Sequence, residues 1–129
     1  MEMNVALKRI DDHMHFEVSN HHGATAQVDG GPDRKGLRPM EMLLGALASC
    51  SAFDAVHILK KQKQEIHDFS VKVSGTRPDE GQVKPFTAIH AHFVLSGPVD
   101  PEKAEKAVTL AMEKYCSVSA TLHPQVRIT

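Results

Sequence analysis

The chain has two cysteines, and they are its residues best suited to covalent or redox chemistry. Each is set among small side chains, in Ala48-Ser49-Cys50-Ser51-Ala52 and in Cys116-Ser117-Val118-Ser119-Ala120, so a second segment or a small substrate can approach either sulfur. Their wide separation does not match the dense cysteine spacing of a secreted, disulfide-stapled domain. In a reducing compartment such a pair is catalytic, redox-sensing or simply buried. A thiol with the ordinary pKa of about 8.5 is only ~3% thiolate at neutral pH, so a working nucleophile needs positive charge beside it. Asp54, one turn after Cys50, puts negative charge on the same helical face instead. The arginines that precede the helix, Arg9, Arg34 and Arg38, are the candidates to answer it.

Nine histidines raise a second possibility. His13/His15 and His90/His92 are each spaced to share one face of a strand, the simplest arrangement for two metal ligands. No acidic or thiol ligand is locked beside either pair by spacing, so solvated or interface histidines are the expectation, with no metal and no cofactor. His57 shares a helical face with Cys50 but lies about 10 Å along the axis, too far for direct proton transfer. His21-His22 reads as turn and His123-Pro124 as loop.

The elements that must position these groups follow from periodicity. Val5 to Arg9 and His13 to Val18 alternate as strands about a turn at Asp11-Asp12, and a second turn at Asn20-His21-His22-Gly23 leads to a strand from Thr25 to Val28. Together they predict a three-stranded antiparallel meander. The run from Asp29 to Arg38 breaks all periodicity and reads as a mobile, basic loop able to gate a site. Pro39 suits a first helical position and Glu41 the positive end of the helix dipole. The helix then runs to Lys60-Lys61, apolar on every face between Met40 and Leu59. Asp68 to Arg77 and Phe86 to Ser96 form a second antiparallel pair, with Phe69, Val71 and Val73 on one face and Ala88, His90, His92 and Val94 on another. Asp100-Pro101-Glu102 starts a second helix with inner stripe Ala104, Ala107, Val108, Ala111 and Tyr115, and with Cys116 at its end. Pro124 stops it, leaving Val126 to Ile128 as an edge strand.

These elements predict an α+β protein in one domain spanning residues 1–129. Fifteen basic and sixteen acidic residues leave a formal charge of −1, which provides no field for nucleic acid or anionic lipid. Glu41, Asp54 and His57 inside the long apolar helix argue against a membrane span. The N-terminus, without a basic region and apolar run, reads as cytoplasmic rather than secretory. A helix with no polar face must be covered all round, which six short strands and one amphipathic helix cannot do. The expected remedy is a homodimer that pairs the long helices about a two-fold axis.

The segments Pro39-Met40-Glu41-Met42-Leu43-Leu44 and Ala48 to Lys61 resemble the central-helix signature of the osmotically inducible protein C family, OsmC/Ohr. Glu113 to Leu122 is similar to that family's second cysteine motif. The resemblance implies an OsmC-like fold, with antiparallel sheets wrapped around long central helices in an intertwined homodimer. It also implies thiol peroxidase chemistry. Cys50 would attack an organic hydroperoxide and become a sulfenic acid, Cys116 would capture it as a disulfide, and an external dithiol would reduce the pair. The place of the family's active-site glutamate holds Met40 here, with Glu41 beside it. Arg9, in the first strand, falls at about the distance of the family's arginine. The expected site is therefore Cys50, Cys116, Arg9 and Glu41, with an alkyl pocket lined by Met40, Leu43, Leu47 and Phe53. The rival readings are a redox sensor or apolar-ligand binder without turnover, and a histidine metal site.

Overall fold

A computed structural model describes all residues 1–129. The chain falls into two compact units, Met1–Leu43 and Leu44–Thr129.

The first unit is the expected meander: β1 (Val5–Arg9), β2 (His15–Asn20) and β3 (Thr25–Asp29), antiparallel in the order β1-β2-β3. Polar side chains close both turns. The Asp11 carboxylate accepts from the His13 N–H at 2.8 Å, and Asn20 Oδ1 accepts from the N–H groups of His22 and Ala24. The register pairs Leu7 with Val18 and Phe16 with Val28. Every residue of β1 is exposed, Val5 and Leu7 included.

The segment after β3 is a loop, as its glycines and proline suggested, and its backbone is tied to one side chain. Asp29 is buried, and its carboxylate accepts from the N–H groups of Gly31 and Lys35, both at 2.7 Å. The Asp29 N–H donates to the Leu37 carbonyl, and Arg38 Nη1 donates to the Asp29 carbonyl at 2.9 Å. One carboxylate thus takes up N–H groups that the turn would otherwise leave unpaired, and the Gly31 and Lys35 N–H groups hold its pKa below the usual carboxylate value.

The long helix, α1 (Pro39–Lys61), starts where Pro39 predicted. Glu41 Oε1 accepts from the Arg38 N–H at 2.8 Å, half of a capping box. Lys60 and Lys61 occupy its last turn, and Lys63, at φ 57°, ends it in the left-handed region.

In the second unit, β4 (Asp68–Thr76) and β5 (Ala88–Ser96) pair antiparallel, and β6 (Arg127–Ile128) adds to β5 as a parallel edge. Ile89 and Ala91 of β5 face the core while His90 and His92 face out, as alternation requires. Gly75 in β4 leaves room for the Phe86 ring and the Leu44 side chain, which a Cβ there would meet. From α1 the core takes one stripe, Leu47, Ser51, Ala55 and Leu59, spaced by one helical turn. Leu47, Leu59 and Ile89 are among the largest fully buried side chains, each stabilising by about 1.5–3 kcal/mol. The opposite stripe, Gly45, Ser49, Phe53 and His57, is exposed, with Phe53 at 77%. By length and composition alone α1 could cross a membrane. What the chain itself covers of α1 is one face only.

Then α2 (Pro101–Leu110) begins as Asp100-Pro101-Glu102 indicated, the Asp100 carboxylate accepting from the Glu102 N–H at 3.0 Å. Ala107 and Ala111 are fully buried, but Tyr115 is half exposed rather than part of the stripe. Residues Ala111–Tyr115 form a π-helical turn. The wider turn carries one extra residue, which shifts the phase by about 100° and turns Tyr115 outward. A third helix, α3 (Ser117–Leu122), follows at once.

Candidate thiol site

Cys50 lies in the middle of α1, half-buried, one position before the buried Ser51. Ser51 keeps its hydroxyl off the core by donating to the Leu47 carbonyl at 2.8 Å. The helix is regular here, so Cys50 has the fixed direction of a side chain in continuous helix.

Cys116 is placed differently. It does not end α2 but forms the junction after the π turn: its N–H donates to the Ala111 carbonyl at 2.8 Å, an i to i−5 bond. Its backbone is then extended, at φ −70° and ψ 110°, and its Sγ caps α3 by accepting from the Ser119 N–H at 3.3 Å. Sulfur is a weak acceptor, and a cysteine in the role usually filled by serine or aspartate is a local cost accepted for the position it gives. The residue is 3% exposed.

The two cysteines are neighbours within one chain and are not joined as a disulfide. Burial pushes the Cys116 thiol above its ordinary pKa, and the neighbouring Cys50 side chain pushes the same way. The N–H groups of Ser119 and Val118 pull it down, with a smaller total effect. The structure thus brings together the two cysteines singled out by sequence and favours the protonated form of Cys116.

A cavity of about 590 Å³ opens beside Cys116, walled by Phe93 of β5, Val108 and Met112 of the α2 and π-turn segment, Ala120 of α3 and Ile128 of β6. This replaces the pocket expected from Met40, Leu43, Leu47 and Phe53. Leu47 has no exposed surface, whereas Phe53 stands in a shallow groove with Ala52, Val56, His57 and Lys60, so one pocket cannot use both. Val108 carried a signal in sequence as part of the inner stripe of the second helix, and Ile128 only as part of an edge strand. Nothing local indicated that they would border a void.

The other two expected site residues belong to the first unit. Arg9 Nε donates to the His13 carbonyl at 2.8 Å, and Glu41 is engaged with the Arg38 N–H. No ion pair joins Arg9 to Glu41. Of the histidines, His15 Nδ1 lies 3.4 Å from the Asp11 carboxylate and His90 Nδ1 lies 2.8 Å from Thr129 Oγ1. Nowhere do three histidine, cysteine or acidic side chains gather as metal ligands.

An α+β chain with a central apolar helix, a cysteine at its middle and a second cysteine delivered beside it defines a recognisable class. Residues 30–129 match the OsmC-like protein family, and the chain belongs to it. It is similar to Protein YhfA of Escherichia coli, 41% identical over 103 residues, which is 79% of this chain and 76% of YhfA. Among solved structures, a hypothetical protein from Aquifex aeolicus superposes with a TM-score of 0.87 at 33% identity, over 100% of this chain and 92% of that one. The organic hydroperoxide resistance protein OhrB of Bacillus subtilis shares the fold at 18% identity, with a TM-score of 0.68 over 98% and 95% of the two chains. The fold read from the residues is thus the OsmC-like fold.

Proposed function

We propose that this protein is a homodimeric, thiol-dependent reductase of organic hydroperoxides. Cys50 attacks the O–O bond, releasing the alcohol and becoming a sulfenic acid. Cys116 displaces water from that sulfenic acid to form a disulfide, and an external dithiol restores both thiols. The observation that carries the reading is the adjacency of the two thiols in one chain, with Cys116 biased toward its protonated form. A resolving cysteine should stay unreactive toward peroxide until its partner is oxidised, and that bias provides it. The cavity at Cys116 gives a small molecule access to one member of the pair.

The dimer is supported by what a single chain leaves uncovered: the α1 stripe around Phe53, and β1 with Val5 and Leu7. In this reading Arg9 provides the positive charge that favours a Cys50 thiolate, and Glu41 helps hold it. The location is the cytoplasm, where a reducing pool recycles the pair. The test is steady-state reduction of cumene hydroperoxide with dihydrolipoamide or dithiothreitol as electron donor, alongside counting of free thiols. The reading requires turnover, with loss of two thiols per chain when peroxide is added without reductant. Peroxide that leaves both thiols free would end it.

A further inference from the structure

Two pairs of histidines are spaced one residue apart, and the structure treats them differently. His13 lies in the turn before β2 rather than in the strand, so alternation does not put it on one face with His15. The His15 ring is engaged: its Nδ1 lies 3.4 Å from the Asp11 carboxylate, and its Nε2 is buried. That pair does not close on an ion. His90 and His92 both lie within β5, both are exposed, and both face away from the core. Their Cα atoms are therefore about 6.6 Å apart along an extended strand. Two imidazole nitrogens on one tetrahedral ion are roughly 3.3 Å apart, so each ring has only to lean inward by under about 2 Å at its tip.

One of the two rings is already oriented. His90 Nδ1 lies 2.8 Å from Thr129 Oγ1. Thr129 is held beside β5 by its own backbone, its N–H donating to the Ile89 carbonyl and its carbonyl accepting from the Ala91 N–H. When Nδ1 carries the proton and donates to the Thr129 hydroxyl, Nε2 keeps a free lone pair. An outer hydrogen bond of this kind fixes the tautomer and direction of histidines that ligate metals. Across the strands, His90 is opposite Ser74 and His92 is opposite Lys72. No third histidine, cysteine or acidic side chain joins the pair, so water has to complete the coordination. Two neutral nitrogens with water suit a late first-row divalent cation, whereas Mg²⁺ and Ca²⁺ require oxygen ligands.

We propose that His90 and His92 form an open, exchangeable site for a late first-row divalent cation such as Ni²⁺, Cu²⁺ or Zn²⁺, with Thr129 as its positioning residue. The site does not rest on the peroxidase reading, and either can fail without the other. The probe is Ni²⁺, which does not oxidise thiols. It is titrated by calorimetry into the full chain without an affinity tag, and its location is read from paramagnetic broadening of the histidine ring signals. The expected result is one ion per chain, with the rings of His90 and His92 broadened first. His90→Ala and His92→Ala should each weaken binding by about tenfold or more, and His13→Ala should leave it unchanged. Thr129→Val should weaken binding by about tenfold while Thr129→Ser retains it, which separates orientation of the ring from a general loss of structure. Lys72→Ala removes a positive charge opposite His92 and should tighten binding by about threefold. The ring signals need only the wild-type chain, so they decide the matter even if a variant folds poorly. Broadening that begins at His21, His22 or any other histidine, or an affinity indifferent to both His90 and His92, overturns the proposal.

Discussion

The surroundings of Cys50 and Cys116 are opposites. Cys50 is carried by unbroken helix, among alanines and serines, with one buried stripe beneath it and an exposed stripe on the other side. Cys116 is carried by a discontinuity, where a π turn, an extended residue and a new helix follow within a few positions, and its sulfur is buried, hydrogen-bonded and bordered by a cavity. A rigid support fixes a nucleophile in one direction. A junction allows a second sulfur to be placed beside it, because neither α2 nor α3 dictates where the residue between them points. The difference teaches that two chemically identical side chains acquire different surroundings, and with them different burial and hydrogen bonding, from the backbone that carries them.

This contrast can be broken first by removing each sulfur. Cys50→Ser should eliminate peroxide reduction, a loss of about 10³-fold or more in turnover measured by dithiol consumption. Cys116→Ser should retain one stoichiometric oxidation of Cys50 but recycle poorly, with sulfinic acid accumulating at Cys50 in the mass spectrum. Equal effects of the two substitutions would remove the asymmetry on which the account rests. The outer face of the Cys50 helix provides the next test. Phe53→Glu puts a charge into the proposed dimer contact and should shift sedimentation toward the monomer, weakening association by about tenfold or more.

How much of this could be seen in the residues depends on how local the cause is. Asp11, Asn20 and Gly23 mark the meander's turns, Pro39 and Glu41 mark the start of α1, and Asp100-Pro101-Glu102 marks α2; each acts through bonds within a few positions, and each is found where expected. The exposed stripe at Phe53 likewise follows from an apolar helix in a chain too short to cover it. The π turn has no such signature, because its i to i−5 bond from the Cys116 N–H to the Ala111 carbonyl joins backbone groups that every residue but proline can provide. Cys116 as a helix cap was invisible for a related reason, since cysteine seldom fills that role. The cavity draws on β5, α2, α3 and β6, and a void among distant elements leaves no mark on any one of them. The Asp29 run is a loop, as its three glycines and proline indicated, but that one buried carboxylate would gather its N–H groups left no mark in them.

The smallest effect concerns pH. The folded Cys116 thiol titrates above the unfolded value of about 8.5. Between those two values the unfolded chain holds fewer protons than the folded one, so stability is full below about pH 8.5 and declines as pH rises toward the folded pKa. Urea midpoints of the reduced protein should therefore fall between pH 8 and pH 10 by an amount that Cys116→Ala diminishes (roughly, by linkage).

The central claim is that the two sulfurs of a single chain meet and react. Adding one equivalent of cumene hydroperoxide, trapping remaining thiols and digesting without reduction measures this directly. The account predicts one peptide pair joined through Cys50 and Cys116, formed within a single chain as shown by mixing isotopically light and heavy protein. Joined peptides that carry one light and one heavy cysteine at the statistical frequency, or no joined peptides, would contradict it.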